Sequence, residues 1–121
     1  MRGETNEEAA SRLVGRWRAS GLCEGLDMRG GNGRVSYYPV GRGGIALLQG
    51  GVFRLENINA SGVFRREGEW SLKDGRLCIR LGDGIGWFCA SLSDGRLTLL
   101  PERAHYRCAQ RLLHRPTFER D

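Results

Sequence analysis

The chain has 121 residues, 19 Lys and Arg against 14 Asp and Glu, and a net charge of +5, which describes a single domain long enough to bury a core without metal staples. It holds no apolar run of about 18 residues, so no helical membrane span is expected. Its arginines are spread along the chain instead of clustering with aromatics on one strand; no nucleic-acid partner is expected, only a general attraction to anionic partners. Nineteen glycines, with no long apolar helical stripe, favour many short strands and turns.

Residues 1–14 read as an N-terminal segment with a short helix. Residues 1–12 are polar and lack the apolar core of a signal peptide. Thr5 followed by Glu8 is a capping box, and Ala9, Ala10 and Leu13 continue a helical face. Val14 and Gly15 lead into a first strand over residues 16–24. Gly30-Gly31-Asn32-Gly33 is a loop, and residues 33–40 form a strand carrying Tyr37 and Tyr38 and stopped by Pro39. A glycine turn at 41–44 precedes short strands over 45–49 and 52–58, and residues 59–62 turn again.

From 63 to 100 the chain reads as one antiparallel meander. Asp74-Gly75, Asp83-Gly84 and Asp94-Gly95 sit between alternating apolar residues. A tight hairpin needs positive φ at its centre, and Asp-Gly supplies it. Folding each hairpin about its Asp-Gly step puts Trp70, Leu72, Leu77, Ile79, Leu81, Phe88, Ala90, Leu92, Leu97 and Leu99 on one face. A slip of one residue would scramble that set. The opposite face is mostly polar; Glu69, Arg80 and Trp87 form a row suited to an ion pair and a cation–π contact. Exposed Trp87 and Leu100 there make a candidate protein-binding patch. After Pro101, residues 104–112 read as the last strand and 114–121 as a frayed tail. The fold expected is all-β: an antiparallel up-and-down barrel of eight or nine short strands over 15–113, with a short N-terminal helix and a flexible C-terminal tail.

Four cysteines without a CxxC step argue against zinc or a thioredoxin-type motif. The expected register brings Cys78 opposite Cys89, and a bridge between Cys23 and Cys108 would clasp the first long strand to the last. Two disulfides would place the protein in an oxidising compartment, secreted or periplasmic; the alternative is four reduced cysteines in a cytosolic protein. The two histidines, His105 and His114, stand late in the chain, and no metal-ligand spacing links them to the cysteines. Asp74, Asp83 and Asp94 serve as turn residues, and Gly41-Arg42-Gly43-Gly44 lacks the Lys-Ser/Thr of a phosphate loop. Neither catalysis nor a cofactor nor a metal is expected.

Leu13-Val14-Gly15-Arg16-Trp17, placed after a short helix and opening the first strand, resembles the Gly-x-Trp motif of lipocalins and their calycin relatives. The resemblance implies that Trp17 closes one end of the barrel and that an arginine of the last strand lies over its ring, with Arg107 and Arg111 the candidates. It covers nearly the whole chain in strand order but about five residues in letters. Two departures stand out: the chain is short for a lipocalin, and the long helix that usually follows the barrel is missing. Small secreted bacterial metalloprotease inhibitors of the same superfamily also resemble Gly15-Arg16-Trp17 followed by Cys23; in that group the N-terminal segment enters the protease cleft. The resemblance thus implies a monomeric, non-enzymatic protein holding a small apolar or amphipathic ligand inside the barrel, lined by Trp17, Tyr37, Phe53, Phe64, Arg66, Trp70 and Phe88. The alternative it implies is an inhibitor or interaction protein that meets a protein partner through its N-terminal segment or outer surface.

Overall fold

The computed structural model describes residues 5–20, 25–102 and 116–121. Helix α1 (Asn6–Leu13) is capped by Thr5, whose side chain accepts from the Glu8 backbone while the Glu8 carboxylate reaches back to Thr5. Ten strands follow among the described residues: β1 (Gly15–Ala19), β2 (Gly25–Arg29), β3 (Val35–Pro39), β4 (Gly44–Leu48), β5 (Val52–Asn59), β6 (Gly62–Lys73), β7 (Arg76–Leu81), β8 (Gly84–Ser93), β9 (Arg96–Pro101) and β10 (Thr117–Arg120).

Eight of them close into an antiparallel ring, in the order β1-β4-β5-β6-β7-β8-β9-β10 and back to β1. Two long strands make closure possible by stagger. β8 pairs with β7 from Gly84 to Phe88 and with β9 from Phe88 to Ser93. β6 pairs with β5 from Gly62 to Glu69 and with β7 from Glu69 to Lys73. A closed ring leaves no unpaired edge to template aggregation. The hairpin β2–β3 stands outside the ring and joins it at Arg29 opposite Ile85.

The meander expected over 63–100 is present as β6 to β9, and its apolar face is the barrel interior. Trp70, Leu77, Ile79, Leu81, Phe88, Leu97 and Leu99 are buried, and Leu72, Ala90 and Leu92 pack against them half-buried. Two of the three turns are centred as expected: Asp74-Gly75 and Asp94-Gly95 both have positive φ at both positions. The third is centred on Gly82-Asp83, with Leu81 opposite Gly84 and positive φ at Gly82. A glycine at the first central position suits a type II′ hairpin better than an aspartate does, so Gly82 takes the turn from Gly84.

That shift moves the register by two residues. Faces are preserved, but partners change. Cys78 lies opposite Trp87, and Cys89 opposite Leu100. Both cysteines are free thiols, Cys78 buried and Cys89 exposed, so the expected Cys78–Cys89 disulfide is not formed. Cys23 and Cys108 lie outside the described residues, as do Arg107, Arg111, His105, His114 and the strand expected over 104–112. Residues 117–120, expected to be a frayed tail, form β10, which pairs with both β1 and β9 and completes the ring. The expected first strand, 16–24, is observed over Gly15–Ala19. Residues 25–29, assigned to no element from sequence, form β2.

Candidate functional site

The barrel has two ends of different construction. Antiparallel succession puts the turns at 49–51, 74–75 and 94–95 at one end, beside α1, and the turns at 60–61 and 82–83 at the other.

The helix end is sealed by Trp17. Its ring is 1 % exposed, and its indole N–H donates to the Leu13 carbonyl at 2.9 Å. Arg120 of β10 lies over the ring at 4.2 Å. The same guanidinium donates to the Val14 carbonyl at 3.1 Å and the Arg12 carbonyl at 2.8 Å, satisfying the end of α1. Gly15 suits this arrangement: its φ of +145° is one that L side chains rarely adopt, and a Cβ there would stand 2.7 Å from Nη1 of Arg120 and displace the guanidinium. The arginine over this tryptophan is Arg120, on β10; Arg107 and Arg111, the candidates that the resemblance gave, lie outside the described residues.

The other end is stoppered by the β2–β3 hairpin. Leu26 and Met28 are fully buried. Met28 lies across Gly84 and Gly86 of β8: a Cβ at Gly86 would come within 2.8 Å of the Met28 sulfur. The two glycines leave a slot on the inward face of β8, and the unbranched thioether fills it. Between the two ends Trp17, Phe53, Phe88, Phe118, Leu47, Leu77, Ile79, Leu97 and Leu99 form one contiguous core with these residues.

The sequence-predicted ligand residues therefore separate into two groups. Trp17, Phe53, Trp70 and Phe88 are core members packed on one another, and the Trp70 indole donates to the Leu48 carbonyl at 2.8 Å. Tyr37, Phe64 and Arg66 are not among them. Tyr37 is half-buried on β3, its ring occupying the space above Gly25. Phe64 and Arg66 share the inward parity of Phe53 and Leu55 across β5–β6, but this hairpin runs past the barrel mouth. Phe64 is exposed, and Arg66 rests its guanidinium 5.4 Å from the Tyr38 ring.

The outer face carries two open concavities of about 540 Å³ each. One lies between β2 and β8–β9, walled by Ile85, Trp87 and Pro101. Here the expected partnership of Trp87 changes: Arg80 faces Ile85, and it is Arg76 that stacks on the Trp87 ring at 4.5 Å, anchored to Glu102 at 3.0 Å. Glu69 does face Arg80 as expected. Leu100 is exposed.

The second concavity crosses β1, β4, β5 and β6. Its rim holds Arg16, Arg18, Arg42, Arg54, Arg65 and Arg66 against Glu56, Glu67 and Asp121. Arg54 pairs with Glu67 at 2.9 Å and Arg65 with Glu56 at 2.8 Å. Arg16, Arg18 and Arg42 form no ion pair among the described residues and are exposed. The floor is Gly43, Gly44 and Ala46. It has to be low: a Cβ at Gly44 would collide with the Trp17 carbonyl and one at Gly43 with the Glu56 carbonyl. The result is a trough with a backbone floor and guanidinium walls. Sequence reading missed it because its arginines come from three strands and the β3–β4 connection, and their convergence depends on β1 pairing with β4.

Among the described residues no three His, Cys, Asp or Glu side chains gather as a metal site, and no helix is long and apolar enough to cross a membrane. Asp74 and Asp94 sit at positive φ in their turns, as turn residues do. Compared with family models, curated proteins and solved structures, the chain matches none, so its function is read from the barrel itself.

Proposed function

We propose that this chain is a small, non-enzymatic, lipocalin-like barrel that acts as an interaction protein through its outer surface, holding an acidic segment of a protein partner in the arginine trough. The observation that carries this reading is a contrast. The axis of the barrel is occupied by packed side chains, including four of the residues expected to line a ligand cavity. The outer trough is open, about 540 Å³, and has three arginines with no ion pair among the described residues, over a backbone floor.

The spacing of those arginines supports a polypeptide. Arg16 and Arg18 lie two residues apart on β1, so their side chains leave the same face of the strand roughly 6.8 Å apart. An extended segment with alternating carboxylates presents charges at the same interval. Arg42 stands beyond them across the glycine floor and adds a third point of contact. A guanidinium gives each carboxylate two parallel hydrogen bonds, which suits arginine better than lysine for this task. The Trp17–Arg120 closure at the helix end supports the calycin part of the reading.

The test is titration calorimetry with a short poly-glutamate peptide at low and high salt. The native protein is expected to bind, with affinity falling as salt rises. Arg16→Glu/Arg18→Glu/Arg42→Glu is expected to reduce affinity at least about tenfold, on the order of 0.5–1.5 kcal/mol per lost contact. All three positions are exposed, so the variant keeps the native melting behaviour. Equal binding by variant and native protein would sink the proposal.

A further inference from the structure

We propose that the tip of the β5–β6 hairpin inserts into the interface of an anionic lipid layer, placing the barrel on a membrane surface. Its leading observation, an exposed apolar tip, lies outside the trough, although Arg42, Arg65 and Arg66 border both. Val63 and Phe64 are 50 % and 52 % exposed, and two of the three large exposed apolar side chains among the described residues are thus neighbours at one hairpin tip.

Their orientation selects the occupant. Successive residues of a strand point to opposite faces. Phe64, opposite Asn57, faces the mouth side of the hairpin, and Val63, opposite Ile58, faces the outside. The tip is a wedge that is apolar on both faces. A flat protein surface covers one face of such a wedge and leaves the other wet. A lipid layer surrounds both.

The charge behind the tip is complementary to an anionic layer. Arg65 and Arg66 follow immediately and likewise point to opposite faces, one toward the outer face and one over Tyr38 at the mouth. The Arg65 side chain is 76 % exposed even while paired with Glu56. Arg42 stands beside them, its backbone N–H donating to the Ile58 carbonyl at 3.0 Å. Apolar side chains at the tip with guanidinium groups one step behind match acyl chains with phosphates one step above.

The wedge is also preformed. The Ser61 N–H donates to the Asn59 side chain at 2.7 Å within the turn. Gly41 bridges Ile58 in parallel, and the Ile58 N–H donates to the Val40 carbonyl at 3.2 Å. A hairpin braced in this way loses little freedom on insertion.

The test uses the full chain with Phe64→Trp as a reporter and vesicles of phosphatidylcholine with or without phosphatidylserine. Phe64→Trp emission is expected to shift to the blue with phosphatidylserine vesicles and to be quenched by brominated acyl chains. Co-sedimentation of the native protein is expected to require phosphatidylserine. Val63→Ser/Phe64→Ser is expected to lower partitioning roughly tenfold, given the apolar area withdrawn from water by the two side chains, with an unchanged melting curve. Arg16→Glu/Arg18→Glu, which disables the trough, is expected to leave the emission shift intact. Three results would each overturn the proposal. One is equal sedimentation of the serine variant. A second is no emission shift on vesicle addition. The third is a shift that follows protein concentration without vesicles, which assigns the tip to a second copy of the chain.

Discussion

Arg120 performs three tasks with one guanidinium: it covers Trp17 and satisfies two carbonyls at the end of α1. Arg120→Ala removes all three at once and is expected to cost about 2 kcal/mol in urea denaturation, on the usual scale of cation–π contacts and charged hydrogen bonds. Arg120→Lys keeps the charge but not the planar fork and is expected to recover only part of it. The residue could not be picked from sequence. The resemblance called for an arginine of the last strand, but Thr117-Phe118-Glu119-Arg120 contains a single apolar residue and shows no alternation. Its strand partners among the described residues, β1 and β9, are about 20 or more residues away. Trp17 was legible because its neighbours Gly15 and the preceding short helix are local. The cysteines differ in the same physical way. Burial pushes the Cys78 thiol up, against the opposing pull of Arg80 and Arg76. The folded chain therefore holds that proton to higher pH than the unfolded chain does, and this site withdraws stability as pH rises through and past the ordinary thiol range. Maleimide labelling of the native protein, read peptide by peptide, is expected to modify exposed Cys89 readily. Cys78 is expected to label slowly, with a rate that climbs only at raised pH. A fast, pH-independent reaction at Cys78 would show that the thiol is not held in the sheet.

At the level of elements, β6 to β9 were readable because three turns with local chemistry independently specified one apolar face. The single change, from Asp83-Gly84 to Gly82-Asp83, moved the register by two and so left the face intact while replacing every cross-strand partner on β7–β8. Disulfide geometry depends on partners, not on faces, which is why the core survived this change and the Cys78–Cys89 bridge did not. β2 escaped notice for another reason. Gly25-Leu26-Asp27-Met28-Arg29 has only two apolar residues, and one of them, Met28, buries against a slot created by Gly84 and Gly86 far along the chain. Met28 is expected to contribute as a stopper. Met28→Ala should cost about 3 kcal/mol in denaturant titration, in the range of large-to-small core substitutions. If the loss were only a few tenths, the β2–β3 hairpin would not be plugging the barrel.

For the molecule as a whole, the sequence-level reading located an antiparallel barrel of eight or nine strands and put its leading binding site inside, with the N-terminal segment or outer surface as the alternative. The inward parity of Phe64 and Arg66 was correct; what parity does not encode is how far a hairpin runs beyond the rim, and both residues stand outside it. The aromatic residues that parity did place within the barrel fill it. The net charge of +5 was legible from composition, whereas the gathering of six arginines around a glycine floor required the ring to close. Two proposed faces follow from this: a trough for acidic polypeptide on β1–β4–β5–β6 and a wedge at the mouth. The most direct measurement of a sealed interior with recognition outside is NMR shift mapping of the native protein, titrated separately with poly-glutamate and with a medium-chain fatty acid. The account predicts that poly-glutamate moves the amides of Arg16, Arg18, Arg42, Gly43 and Gly44, while the fatty acid leaves the methyl groups of Leu26, Met28, Leu97 and Leu99 unmoved. Saturable shifts of those core methyls by the fatty acid, with no response of the trough amides to poly-glutamate, would contradict it.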